Sequence, residues 1–104
     1  MTKVKFLTDS LGIYGFCLYG HSSADCDDDE GKIVCAAVSS AAYLAANTLT
    51  EIVGCACDID VRDGYMSLRI TGDREGSQVI LRGFRLHLQQ LAEQYSNIEL
   101  NLEV

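Results

Sequence analysis

The 104-residue chain contains no proline. No Pro/Ser-rich linker, internal repeat or low-complexity stretch divides it, so nothing marks a second domain. It also lacks any cluster of Lys and Arg. With 8 Lys plus Arg against 15 Asp plus Glu, the net charge is -7 and the pI about 4.5. Nucleic-acid backbones and anionic membranes demand concentrated positive charge, so neither is expected as a partner, whereas basic partners remain open. No ~18 apolar residues occur together, and Met1 to Ser10 holds no apolar run of the ~7 to 15 residues that an export signal needs. A soluble, cytoplasmic protein is expected. The five cysteines, Cys17, Cys26, Cys35, Cys55 and Cys57, are an odd number in a chain without an export signal. Thiols are therefore expected rather than structural disulfides.

What the chain does have is apolar content, 48% hydrophobic against 22% charged residues. That is enough for one domain, residues 1–104, to fold alone, and it argues against disorder. Lys3 to Thr8 and Ile13 to Tyr19 are rich in β-branched and aromatic residues and are separated by Asp9-Ser10-Leu11-Gly12, which has turn chemistry, so they read as a first hairpin. The compositional anomaly is Asp25-Cys26-Asp27-Asp28-Asp29-Glu30, read as a mobile, solvated loop. From Val34, the residues Val38, Ala41, Leu44 and Ile52 recur at near-helical spacing through an Ala-rich segment, and Gly54 follows where a left-handed cap belongs. The spacing predicts a helix from Val34 to Val53 that packs closely on its neighbour.

Cys55 to Arg62 and Tyr65 to Thr71 flank Asp63-Gly64, a strong hairpin signal in which both central residues would take positive φ. Counting outward pairs Arg62 with Tyr65, Val61 with Met66, Ile59 with Leu68 and Cys57 with Ile70, which gathers the large aliphatic residues on one face. Leu81, Phe84, Leu88, Leu91 and Tyr95 step by three and four, so Ser77 to Tyr95 is a second helix with one apolar stripe. Ile98, Leu100, Leu102 and Val104 alternate with polar residues as a half-buried strand. The order ββαββαβ implies a two-layer α+β domain, a mostly antiparallel five-stranded sheet with two helices.

His21 ends the second strand and Cys35 opens the first predicted helix, with the acidic loop between them, so the two can meet. The unpaired amides of a first helical turn and the helix dipole favour a thiolate, and an imidazole can take and return its proton. The amides of Cys35 and Ala36 would also suit an oxyanion. Taken alone, the same spacing fits a small buried cysteine. Cys55 and Cys57 lie two apart and fit the inner face of a strand better than a zinc site, there being no Cys-x-x-Cys spacing. The acidic run lacks the spaced ligands and central Gly of a calcium loop. His87 falls beside the apolar stripe of the last helix and reads as a boundary residue. No metal and no cofactor is expected.

Gly20-His21, an intervening polar loop and then Ile33-Val34-Cys35-Ala36-Ala37-Val38-Ser39 resemble the signature of the ribosomal-processing cysteine protease family, Prp. The length, the element order and Gln94-Tyr95-Ser96-Asn97-Ile98 before the final strand fit the same family. The resemblance implies a cysteine endopeptidase, typically homodimeric, that removes a short N-terminal extension from a large-subunit ribosomal protein. It implies Cys35 as nucleophile, His21 as base and Ser39 as a supporting residue on the helical face of Cys35. The family's Asp three positions before the nucleophile is replaced here by Lys32. Asp25, Asp27, Asp28, Asp29 and Glu30 would then attract the basic ribosomal protein precursor and close over it. Two other classes compete: a non-catalytic dimeric module that grips a basic ribosomal protein or assembly factor, and a thiol or metal-binding regulator using Cys26, Cys35 and His21.

Overall fold

Alternating apolar residues build a sheet, and two apolar helical stripes cover one side of it. The computed structural model describes residues 2–20, 29–95 and, for the backbone, 98–103. Strands β1 (Thr2–Asp9) and β2 (Gly12–Tyr19) form the first hairpin, helix α1 (Asp29–Asn47) follows, and a π-helical turn (Thr48–Val53) extends it. Strands β3 (Cys57–Arg62) and β4 (Tyr65–Ile70) form the second hairpin, before α2 (Ser77–Gln94) and β5 (Ile98–Glu103).

The overall class is α+β, but the expected five-stranded, mostly antiparallel sheet needs correction. The antiparallel sheet has four strands, in the order β1-β2-β4-β3, not five. The backbone of Ile98–Glu103 attaches beyond it, beside β1 and parallel to it. Alternation in a sequence identifies a strand without giving its direction, and the chain returns from α2 to the end at which β1 starts.

The second hairpin has the counted register, Arg62 with Tyr65 through Cys57 with Ile70. Its turn differs from expectation: Gly64 takes φ 75°, whereas no described non-glycine residue has positive φ, so Asp63 does not share the left-handed geometry. The first helix differs more. Its α-helical part starts at Asp29 rather than Val34, with Asp29 and Glu30 in the first turn, where carboxylates complement the helix dipole. It ends at Asn47 and widens into the π turn, in which Thr48 Oγ1 donates to the Leu44 carbonyl (2.7 Å) and Thr50 Oγ1 to that of Ala46 (3.0 Å). Such hydroxyl bonds to the preceding turn compete with the α-helical ladder. Gly54 then stops the helix at φ 82° with its N–H on the Leu49 carbonyl, the left-handed cap foreseen from sequence.

The face of α1 turned to the sheet is Val34, Val38, Ala42, Ala45, Ala46 and Leu49 with the first-turn Gly31. Leu44 and Ile52, expected inside, are 69% and 80% exposed, because small alanines let the helix lie close and turn its larger residues outward. From Asp29 to Val53 the segment is long and apolar enough to cross a membrane by composition, and about a third of its apolar window is buried in the fold. On α2, Leu81, Phe84 and Leu88 are buried as expected. The Phe84 ring stands 4.8 Å from that of Phe16 and 5.6 Å from that of Phe6, both edge-on, an arrangement of aromatic quadrupoles worth ~0.5–1.5 kcal/mol per pair beyond burial. Gln78 fixes the start of α2 to β2, accepting from the Ile13 N–H (2.8 Å) and donating to its carbonyl (2.7 Å).

A second tie joins the β1–β2 turn to the segment before α2: Arg74 holds both carboxylate oxygens of Asp9 at 2.7 Å. Donation from Arg74 first, then from the Leu11 N–H, pulls the Asp9 carboxyl down to about 2. A carboxylate whose folded value lies below its unfolded ~3.9 contributes stability that is fully present above pH ~4 and is lost as pH falls towards 2. Asp9→Asn should therefore flatten the fall in Tm between pH 4 and 2, as differential scanning calorimetry reads it. An unchanged slope would show that this tie does not contribute.

Candidate active site

Cys35 stands on the second turn of α1, half-buried between the core residues Val34 and Val38. Because the helix already runs from Asp29, the amides of Cys35 and Ala36 lie inside its hydrogen-bond ladder. This corrects the expectation that they are free first-turn donors to an oxyanion. The first turn of the helix begins at Asp29, so the dipole contribution at Cys35, one turn further in, is correspondingly smaller.

The contact that sequence reasoning missed is with Thr2. Its Oγ1 lies 3.5 Å from Cys35 Sγ, and Thr2 is almost wholly buried at the start of β1. No local pattern connects residues 33 positions apart. Only the packing of α1 over the start of β1 brings them together. A hydroxyl there can donate to sulfur, which favours the thiolate over the thiol.

The same end of the sheet is where β2 runs out. Lys3 is paired with Tyr19, and Gly20 turns the chain at φ 76° with its N–H on the Gly64 carbonyl. The next residue is His21, which with Asp25, Cys26, Asp27 and Asp28 lies outside the described residues. Asp29 and Glu30, assigned from sequence to the acidic loop, are exposed residues of the first turn of α1. Ser39 is half-buried one helical turn after Cys35, and Lys32 is exposed on the turn before it.

Cys17, Cys55 and Cys57 are free thiols. Cys35 is disulfide-bonded, contrary to the expectation of thiols throughout, so its sulfur is open to nucleophilic chemistry only after reduction. Cys57 is a poor alternative, since burial first, and then neighbouring Cys55 and Asp58, push its thiol up. Cys55 is buried and precedes β3 rather than belonging to it, and its carbonyl accepts from Cys57 Sγ at 3.6 Å. His87 is exposed, on the rim of an apolar groove between the helices. Among the described residues, no three His, Cys, Asp or Glu side chains gather as metal ligands.

Residues 1–98 match the family described as cysteine protease Prp. The chain belongs to that family. The Prp fold is shared over the full length of solved relatives. A ribosomal processing protease Prp from S. aureus, crystallised with a substrate peptide, is 25% identical with a TM-score of 0.89, covering 99% of this chain and 100% of that one. The same S. aureus protease with a covalently linked product peptide is 26% identical with a TM-score of 0.82, at 99% and 100% coverage. A Streptococcus mutans protein is 26% identical with a TM-score of 0.79 over 99% of both chains. No curated protein matches the chain significantly. Membership in Prp makes the protein a cysteine protease, and among its described cysteines Cys35 alone is carried on a helix.

Proposed function

We propose that this protease removes an N-terminal extension from a large-subunit ribosomal protein precursor in the cytoplasm, with Cys35 as nucleophile and His21 as general base. One observation supports the reading above others. Cys35 sits half-buried beside the Thr2 hydroxyl, at the sheet end where β2 runs out one residue before His21. The described relatives from S. aureus are ribosomal processing proteases, one holding a substrate peptide and one a covalently linked product peptide.

In this reading, reduced Cys35 gives its proton to His21 and its thiolate attacks the scissile carbonyl. The tetrahedral intermediate collapses as His21 returns the proton to the departing amine, which is the new N-terminus of the mature protein. The extension remains as a thioester on Cys35, and water activated by His21 hydrolyses it. Thr2 donates to the sulfur and favours the charged nucleophile, and Ser39 supports the site from the next turn. The acidic run from Asp25 to Glu30 attracts the basic substrate.

The reduced protein should convert the precursor to a shorter product whose mass loss equals the extension, and the disulfide form should be inactive until a thiol reductant is added. Mass spectrometry of the incubated precursor reads both. An intact precursor after incubation with fully reduced protein would contradict the assignment.

The working unit is proposed to be a homodimer. Between α1 and α2 runs an apolar groove of about 280 Å³, lined by Ala41, Leu44, Ala45, Val79, Ile80 and Phe84 among others, with Leu44 and Val79 69% and 78% exposed at its mouth. Exposed apolar surface of this kind favours association. Sedimentation equilibrium of the full chain should show a concentration-dependent dimer. A monomer at every concentration would refute it.

A further inference from the structure

We infer that β3 is a docking edge for the substrate, an extended segment of apolar and basic residues that adds to the sheet as a further strand; this rests on the protease reading above. The register places Val61 in the row Val4-Leu18-Met66-Val61 and Ile59 in the row Phe6-Phe16-Leu68-Ile59. Every residue in those rows except the two on β3 is fully or almost fully buried. Ile59 and Val61 are 45% and 49% exposed, so the cover that buries the β1, β2 and β4 residues of these rows does not extend over β3. Core-side apolar residues are thus presented on an edge strand whose outer row of N–H and C=O groups has no ladder partner among the described residues.

Position and charge select the occupant. The hairpin end of β3 is level with the site, since Arg62, Tyr65, Tyr19 and Lys3 form one row and Thr2, beside Cys35, follows Lys3. Three strand spacings of ~4.8 Å separate β1 from β3, so a peptide with its scissile bond at Cys35 reaches that edge within about five extended residues. Asp58 and Asp60 point to the other face of β3 and are exposed, Asp60 within 3.0 Å of the exposed Arg62 guanidinium, so an added strand meets aliphatic side chains on one face and carboxylates on the other. An apolar and basic strand fits both. A second copy of β3 fits poorly. Antiparallel pairing about the middle of the strand, at Ile59 or Asp60, would bring carboxylates of the two copies opposite each other.

The test is binding of a fluorescein-labelled precursor segment, spanning the extension and the first residues of the mature protein, to full-length Cys35→Ala protein followed by anisotropy. Ile59→Thr with Val61→Thr keeps β-branched residues on the strand while removing its apolar surface. It should weaken binding at least tenfold with Tm within a few degrees of the parent. Asp58→Asn with Asp60→Asn should weaken binding as well and flatten its salt dependence. N-methylation of alternate backbone amides of the segment should abolish the difference between parent and variant, because a strand that cannot pair gains nothing from β3. Equal affinity of parent and Ile59→Thr/Val61→Thr protein overturns the inference. So does a loss of dimer without a change in peptide affinity, which would assign the edge to a second copy. Turnover by wild-type protein is read separately, so failure of the protease reading is distinguished from failure of the docking edge.

Discussion

Cys35→Ala should reduce cleavage of the ribosomal protein precursor below ~1% of wild type while leaving Tm almost unchanged. The large effect follows from covalent chemistry: without sulfur no thioester forms, and the residual rate is what binding and the remaining groups supply to water. The small effect follows from position. Cys35 is half-buried beside the core stripe, not in it, and Val34 and Val38 hold α1 on the sheet without it. The structural cost includes the contact of Thr2 Oγ1 with Cys35 Sγ and the disulfide, which is absent under the reducing conditions of the assay. A steady-state rate series with the purified variant, beside its calorimetric trace, measures both quantities. Activity well above ~1% would move the nucleophile to another residue.

The second large effect is expected at His21. Cys35, on the second turn, receives less from the helix dipole than a first-turn residue would. In the proposed mechanism the imidazole of His21 then supplies much of the activation. His21→Ala should lower kcat/KM by at least ~100-fold at pH 7, within the range a positioned general base contributes. Raising the pH towards 9 should recover part of that loss, because hydroxide then generates the thiolate that the missing base no longer does. Combining it with Cys35→Ala should cost no more than the cysteine change alone, since the two groups act on one step. A pH–rate profile of the single variant provides the check. An unaltered profile would remove His21 from the mechanism.

Much of the fold was legible because short-range periodicity decides it. The β3–β4 register followed from counting back from Gly64, and Gly54 marked the end of the first helical segment because a left-handed cap favours glycine. The apolar stripe of α2 was equally plain. What escaped was set by context. Asp29 and Glu30 look like loop residues in an acidic run, yet carboxylates are favoured in a first helical turn, and this moved Cys35 one turn into α1. The parallel setting of Ile98–Glu103 beside β1 depends on where α2 delivers the chain, which alternation cannot encode. The candidate residues Cys35 and Ser39 were suggested by a local string from Ile33 to Ser39, and His21 by Gly20-His21 before it. Thr2 was not, since its link to Cys35 exists only through packing. The exposed state of Ile59 and Val61 was hidden for a related reason: pairing fixed their face, but the reach of the helices decided whether that face was covered.

The central claim is that Cys35 itself carries the cleaved segment. The most direct measurement is acid quenching of reduced protein within the first turnovers on the precursor, followed by peptide mapping by mass spectrometry. The account predicts a thioester adduct with the mass of the N-terminal extension on the peptide containing Cys35. An adduct on Cys17, Cys26, Cys55 or Cys57 instead would contradict it.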